Sequence, residues 1–414
     1  MSAWDEVALG ALLQPDRGIS YGIVQPGAHL EGGVPIVRVN AIRSGRIDTS
    51  EPLRVADHIE RAYERTRLRG GELLLTLVGT VGEAAEVTPE LAGWNVARAV
   101  AVVPVRPDVG ARWVRYALQS PRVRHLIDSW CNTTVQKTLN LKDVARLPIQ
   151  LPPEEVRASV LSVLGSLDDK IDLNRSMNQT LEAMAQALFR SWFVDFDPVR
   201  AKAESRQPEG MDAETAALFP SRFAGSELGE IPEGWSVLPL DEVLVLQRGF
   251  DLPSSSRVSG PYPVMQASGM TDGHAEYRVR GPGVVTGRSG VLGNVFFVHE
   301  DFWPLNTTLW VKEFRLALPR FAYFILRTVD FKQFNAGSAV PTLNRNHVHS
   351  LRVVVPPRAL VDRFESFAAP NLSLIRKNEL QSKTLAHLRD LLLPRLLSGE
   401  IRVRDAEAQL AASA

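Results

Sequence analysis

Asparagine and glutamine amides and arginine guanidinium groups can pair bidentately with base edges, while serine and threonine hydroxyls suit phosphate oxygens. Residues of these types recur in matched runs along the chain. Thr138 and Asn140 lie in KTLNLKDVARLPIQLPP, which begins at Lys137, and Thr342 and Asn344 lie in PTLNRNHVHSLRVVVPP, which superposes on it without a gap. The run TLVGTVG from Thr76 contains Thr80, and TGRSGVLG from Thr286 contains Arg288 and Ser289, with Asn294 just beyond. Their glycines let backbone approach a partner closely. Asn95 and Arg98 match the neighbourhood of Asn306, Thr307 and Thr308. Further candidates for such contacts are Arg38, Asn40 and Arg43, the cluster Arg65, Arg67 and Arg69, then Lys142, Arg248, Gln266, Ser268 and Arg345.

Signatures of catalysis are missing from the same survey. There is no G-x-x-x-x-G-K-[ST] phosphate loop and no H-E-x-x-H, and His347 and His349 are poorly spaced to share a metal. Gly287-Arg288-Ser289-Gly290 falls short of a nucleophile elbow and reads as a turn. The Pro-Pro pairs at Pro152 and Pro356 lack the acidic or amide residue and the aromatic of an amino-methyltransferase loop. Cys131 is the single cysteine, which excludes an internal disulfide and suits a reducing cytosol. The expectation is a chain that binds no metal and performs no chemistry itself.

What must position the candidate residues is a duplicated architecture. With 414 residues the chain exceeds the ~250–300 at which single cores stop growing, so two or more domains are expected. The TLN match extends into the following segments, pairing Ile171 with Ile375, Asn174 with Asn378, Leu181 with Leu385 and Leu188 with Leu392. Upstream, GELLLT from Gly71 answers GPGVVT from Gly281, RWVRYAL from Arg112 answers RFAYFIL from Arg320, and PIVRVN from Pro35 answers PVMQAS from Pro263. Each half reads as an α+β domain, its short β-branched runs separated by Gly, Pro and Asn. The predicted order is a domain over 1–150, a helix over 151–194, a linker over 195–232, a second domain over 233–355, a second helix over 356–400 and a tail over 401–414.

Leu164, Leu167, Ile171, Asn174, Leu181, Leu188 and Trp192 fall on one line of the first helix, a coiled-coil pattern interrupted by amides. About forty residues of helix span roughly 60 Å. The repeat makes the two helices an antiparallel pair, with Asn174 and Asn378 at equivalent seam positions where a polar residue can fix register. Pro370 should break or kink the second helix near its start. No run reaches the ~18 apolar residues of a membrane helix, and MSAWDEVALG lacks the features of a signal peptide, so a soluble, cytoplasmic protein without membrane partners is expected. The formal charge is zero, from 47 Lys+Arg and 47 Asp+Glu. That balance is the best support for a different reading, a paired-domain scaffold that binds proteins rather than DNA.

The order of elements, with SWFVDFDPVRAKAESRQPEGMDAETAALFPSRF from Ser191, SELGEIPEGW from Ser226 and LLLPRLLSGEIRV from Leu391, resembles the specificity subunit of type I restriction–modification systems over nearly the whole chain. The resemblance implies two target-recognition domains, each reading one half of a split, asymmetric site on double-stranded DNA, with the helices setting the gap. It implies two methyltransferase subunits carrying S-adenosylmethionine and, in restriction complexes, motor–nuclease subunits carrying ATP and Mg²⁺. A methylation-only complex is the variant without the nuclease. On this basis the helix seam, including Phe189, Trp192 and Phe193, is either a candidate docking surface for the methyltransferases or simply coiled-coil core.

Overall fold

The structure, a computed structural model, describes residues 4–131, 137–335 and 341–406. Its contacts separate two compact units, Met1–Asp172 with Gln381–Ala414 and Leu173–Leu380. Four helices recur below: α1 (Ala111–Leu118), α2 (Glu154–Phe193), α3 (Pro319–Thr328) and α4 (Arg358–Leu397). The boundary between units falls inside both long helices, so each unit owns a segment of α2 and a segment of α4.

In the first unit, β1 (Ser20–Tyr21), β7 (Val100–Val103), β4 (Leu73–Thr76) and β5 (Ala84–Glu86) form a sheet in that order, and β2 (Val34–Val37) lies between β3 (Leu53–Val55) and β6 (Asn95–Val96) in a second sheet. The second unit repeats this plan. There β8 (Leu244–Arg248), β14 (Thr308–Phe314), β11 (Gly283–Gly287) and β12 (Val295–Val298) are adjacent in that order, and β9 (Tyr262–Gln266) lies between β10 (Gly269–His274) and β13 (Trp303–Pro304). Even the parallel pairings correspond, Ile36 with Asn95 and Val264 with Trp303. The expected α+β class and its repeat are therefore present in the topology.

One expected match shifts by a residue. Thr76 pairs with Val100, whereas Gly287, not Thr286, pairs with Thr308. GELLLT and GPGVVT thus superpose one position off the sequence expectation, and a slip of one residue in a strand exchanges its faces. The sequence match favoured the two threonines, but strand pairing is set by which side chains reach the core. The stretch 195–232, whose composition suggests a linker, carries helices at Asp197–Ala203 and Ala213–Ala217 and a hairpin of Phe223–Ser226 with Gly229–Pro232. Within it Phe196, Val199, Phe219 and Ile231 are buried in the core of the second unit.

Both cores are closed by the long helices. Val160, Leu164 and Leu167 of α2 and Leu392, Leu393 and Leu396 of α4 pack with Trp113, Val114 and Ile149 in the first unit. Phe189, Trp192 and Phe193 of α2 and Leu360, Phe364 and Ala368 of α4 pack with Phe321 and Phe324 in the second. The ring of Phe189 lies 5.1 to 5.7 Å from those of Phe193, Phe321, Phe324 and Phe364. Phe189, Trp192 and Phe193 are therefore core side chains, as in the second of the two alternatives for these positions: aromatic rings of this size gain more from burial than exposed seam positions could offer.

Polar groups orient this packing. In the first unit Asp168 of α2, almost fully buried, accepts hydrogen bonds from Arg115 (2.5 Å) and Tyr116 (2.6 Å) of α1 and from Arg389 (2.7 Å) of α4. Burial opposes its ionisation, but the charge of Arg115 and the three donors outweigh that and hold the carboxyl below its usual range. In the second unit Glu365 of α4 accepts from the backbone N–H groups of Arg320 (2.7 Å) and Phe321 (2.8 Å), capping the start of α3, which has no cap of its own. Asn174, fully buried, donates to the Asn378 carbonyl (3.4 Å), Asn378 donates to Asn178 Oδ1 (2.8 Å), and Asn178 donates to the Ile375 carbonyl (3.3 Å). The seam is antiparallel and its amides face inward.

Pro370 does not break α4, which is helical from Arg358 to Leu397. Both Pro370 and Ser366, whose carbonyl loses its helical donor, are exposed, so water can satisfy that oxygen. Ala368 and Leu372, on either side, are buried and hold the helix to the core.

Asp168→Ala should destabilise the first unit by about 3–5 kcal/mol, because it leaves the buried Arg115 guanidinium without its carboxylate and Arg389 with Asp390 alone; urea unfolding measures this. Because the folded carboxyl is depressed, its contribution is present above the unfolded value near about 3.9 and is lost as pH falls through the lower folded value. The alanine variant should therefore lose less stability on acidification. Replacing Asn174 and Asn378 together by Leu should raise the unfolding midpoint and broaden the pattern of cysteine cross-links across the seam, whereas one unchanged cross-link pattern would show that the amides do not set register.

Candidate nucleic-acid interface

A loop held by a returning strand recurs in both units. In the first, β4 ends at the buried Thr76, whose hydroxyl accepts from the Glu83 N–H (3.0 Å) and donates to the Thr80 carbonyl, closing the loop from within. Gly79 and Gly82 take φ of 76° and 89°, the left-handed region that side chains disfavour. The Gly79 N–H donates to the Lys137 carbonyl (3.1 Å) and the Leu139 N–H to the Leu77 carbonyl (2.9 Å), so the TLN run clasps the loop. In the second unit Gly290 and Gly293 have φ of 90° and 94°. There the Gly290 N–H donates to the Pro341 carbonyl (2.9 Å) and the Leu343 N–H to the Arg288 carbonyl (2.8 Å). A third segment completes each clasp: the Leu77 N–H donates to the Ala99 carbonyl and the Arg288 N–H to the Thr307 carbonyl, both at 2.8 Å.

The shared residues of the motif have structural tasks. Leu139 and Leu343 are buried anchors. Thr138 bridges Val78, and Thr342 bridges Ser289 and donates its N–H to Asn335 Oδ1 (3.0 Å). Asn344 accepts from the Asn346 N–H (3.0 Å), capping a helix at Arg345–His349, and Asn140 occupies the matching position before a helix at Leu141–Arg146. Identity between the two runs thus reflects building the clasp.

The clasps bring together Thr80, Arg98, Lys137 and Thr138 in the first unit, and Arg288, Ser289, Asn294, Asn306, Thr307 and Thr342 in the second. Arg98 and Asn306 occupy equivalent positions, each preceding the residue whose carbonyl holds the loop. Asn306 is engaged with Asp251, which also accepts from Arg248 (3.2 Å); no spacing in the sequence marked that carboxylate. Lys142 and Arg345 follow the clasps on the short helices, exposed. Arg38, Arg65, Arg98, Lys142, Arg288 and Arg345 form no ion pair among the described residues, leaving them open to phosphate or base.

Other candidates lie elsewhere. Asn95 is fully buried: its amide donates to Glu60 (3.1 Å) and the Tyr63 carbonyl (3.1 Å) and accepts from the Thr66 hydroxyl (2.7 Å), so it is scaffold and not a base contact. Thr308, also fully buried, donates to the Leu305 carbonyl (2.7 Å). Arg67 is held by Glu60 (2.6 Å), whose carboxyl is depressed chiefly by that arginine, and Arg69 faces Asp16 at 3.8 Å. Gln266 donates to Ser268 (2.8 Å) in the turn between β9 and β10, and Arg38, Asn40 and Arg43 lie on the connection from β2 to β3. Of the helix seam, Leu164, Leu167, Ile171, Asn174, Asn378 and Leu392 are buried, while Leu181, Leu188, Ile375 and Leu385 are half-buried.

The groups most able to do chemistry are engaged otherwise. His349 Nε2 accepts from the Leu246 N–H (2.9 Å), and burial lowers its basicity. Burial pushes the Cys131 thiol up, away from the nucleophilic thiolate. No cluster of three or more metal-ligating side chains occurs among the described residues, and no helix is long and apolar enough to cross a membrane.

No protein-family model matches the chain. The type I restriction enzyme HindI specificity subunit of Haemophilus influenzae is 27% identical over 334 residues, covering 64% of this chain and 71% of that protein. The MjaIX specificity subunit of Methanocaldococcus jannaschii is 22% identical over 373 residues, 84% of this chain and 82% of its own. Among solved structures, the type I restriction–modification S subunit from M. genitalium covers 95% of this chain with a TM-score of 0.53 at 15% identity, a likeness of fold. The chain is thus similar in sequence to specificity subunits of type I restriction–modification systems, and similar in fold to a solved S subunit.

Proposed function

We propose that the chain is the DNA-reading subunit of a type I restriction–modification complex, that each unit reads one half of a bipartite site through its clasped loop, and that the two halves differ in sequence. The observation that carries this reading is the recurrence of one loop clasp with different outward side chains: Arg98 where the other unit has Asn306, and Thr80 in a loop whose counterpart offers Arg288 and Ser289. Arginine suits guanine, and an asparagine amide suits adenine. Cations without carboxylate partners beside both clasps support contact with the phosphate backbone despite a net charge of zero.

The chemistry belongs to partners on this reading. Methyltransferase subunits supply S-adenosylmethionine and modify a flipped base, motor–nuclease subunits supply ATP and Mg²⁺, and this chain holds the duplex in place without catalysing a step. The names of the related proteins support that division.

Exchanging residues 1–150 for the corresponding domain of a relative, then mapping methylated sites with the assembled methyltransferase, should change one half of the recognised sequence and leave the other; a change in both halves would contradict modular reading. Arg98→Ala should weaken specific binding by about 1–3 kcal/mol and relax one position within the half-site read by the first unit. Equal weakening on all sequences would make Arg98 a phosphate contact, and absence of any protected split site in a footprint would sink DNA reading altogether.

A further inference from the structure

In the first unit β2 and β3 are joined by residues 38–52, which include a hairpin of Ile42–Arg43 with Arg46–Ile47. This hairpin rests on three surfaces. Ile42 and Ile47 pack with Leu74 and Ala85 over β5. Its Ser44–Gly45 turn, with φ of 51° and 82°, abuts α1 so closely that a Cβ on Gly45 would lie 2.2 Å from the Arg115 guanidinium. Arg46 forms an ion pair with Asp172 of α2.

The second unit keeps the three surfaces without the hairpin. Only Ala267 and Ser268 join β9 to β10. By strand order β12 stands where β5 does, and by the repeat Tyr323 of α3 answers Arg115 and Arg376 of α4 answers Asp172. The same three elements, β12, α3 and α4, line an open cleft of about 410 Å³. Its apolar wall includes Met265, Met270, Phe296 and Ile375, and Met270 is 49% exposed. At its rim Glu300 and Glu379 share Arg376, and Glu182 pairs with Arg327, so carboxylates exceed guanidinium groups by one. Burial keeps the nearby His299 from offsetting that charge.

We propose that this cleft docks a loop of a partner protein, one that supplies what the hairpin Ile42–Ile47 supplies to the first unit: a branched aliphatic side chain against the Met265–Phe296 wall and an adjacent arginine or lysine at the glutamate rim. The occupant's chemistry follows from two observations that do not depend on each other. The chain's own hairpin, IRSGRI, carries that pattern on the equivalent surface, and the excess negative charge of the cleft selects a basic flank. DNA contact by the loops plays no part, so this inference and the proposed function can fail separately.

The probe is a disulfide-cyclised peptide carrying the IRSGRI turn, titrated by fluorescence anisotropy against the full chain. Saturable binding is expected, weakened at least tenfold by Met270→Lys, an exposed position at which folding should survive, as a thermal melt checks. A variant in which residues 38–52 replace Ala267 and Ser268 should fill the cleft with the chain's own hairpin and abolish binding of the peptide. No saturable binding, or binding unchanged in both variants, would overturn the proposal. Concentration-dependent dimerisation of the chain that Met270→Lys abolishes would assign the cleft to a second copy and overturn it as well.

Discussion

Neither unit closes its core with its own strands and short helices. A strand face and one amphipathic helix leave an apolar surface that must be covered, and in both units the cover is a segment of α2 lying beside a segment of α4. Each fully buried Leu or Phe on those segments is worth about 1.5–3 kcal/mol, so the interior of each unit depends on two long helices being in register. The polar groups at this packing are directional for the same reason. Asp168 ties α1 to both long helices, Glu365 caps α3 from α4, and the amides of Asn174, Asn178 and Asn378 bond across the seam. Hydrophobic burial alone tolerates sliding, whereas each of these contacts is lost on a shift of one turn.

Dependence on the long helices also explains why α4 carries Pro370 without a break. A proline in a helix interior costs about 3 kcal/mol or more, but Ala368 and Leu372 are fastened into the core on either side, and the carbonyl deprived of its donor faces water. The tertiary contacts outweigh the local penalty. The same principle folds the stretch 195–232: its composition is that of a connector, yet a handful of apolar side chains spaced without period suffices to dock it when a core surface is available.

At the candidate interface the division of labour runs between residues that repeat and residues that do not. In the Thr-Leu-Asn runs the threonines bridge to the loops, the leucines anchor them in the cores, and Asn344 caps the helix that follows while Asn140 holds the matching position. Glycines with positive φ recur at matching places because the loop must turn sharply between two strands. Outward positions carry no such burden, so Arg98 and Asn306 can differ while the residues that follow them, Ala99 and Thr307, accept the same loop bond. A scaffold of this kind can vary its outward side chains without rebuilding its fold.

The sequence by itself determined the duplication, the mixed fold, the two long helices and their antiparallel pairing, because those follow from periodicity and from a gapless internal match. It also placed Arg98 and Asn306 at corresponding points. Tertiary structure alone decided that Asn95 and Thr308 are internal, that Arg67 serves Glu60, and that Phe189, Trp192 and Phe193 are core. An asparagine or a ring has the same letter whether it faces solvent or interior, and what distinguishes the two is the partner brought to it from a distant part of the chain. The one-residue slip between GELLLT and GPGVVT has the same origin, since strand register is set by the face that meets the core rather than by the best match of letters.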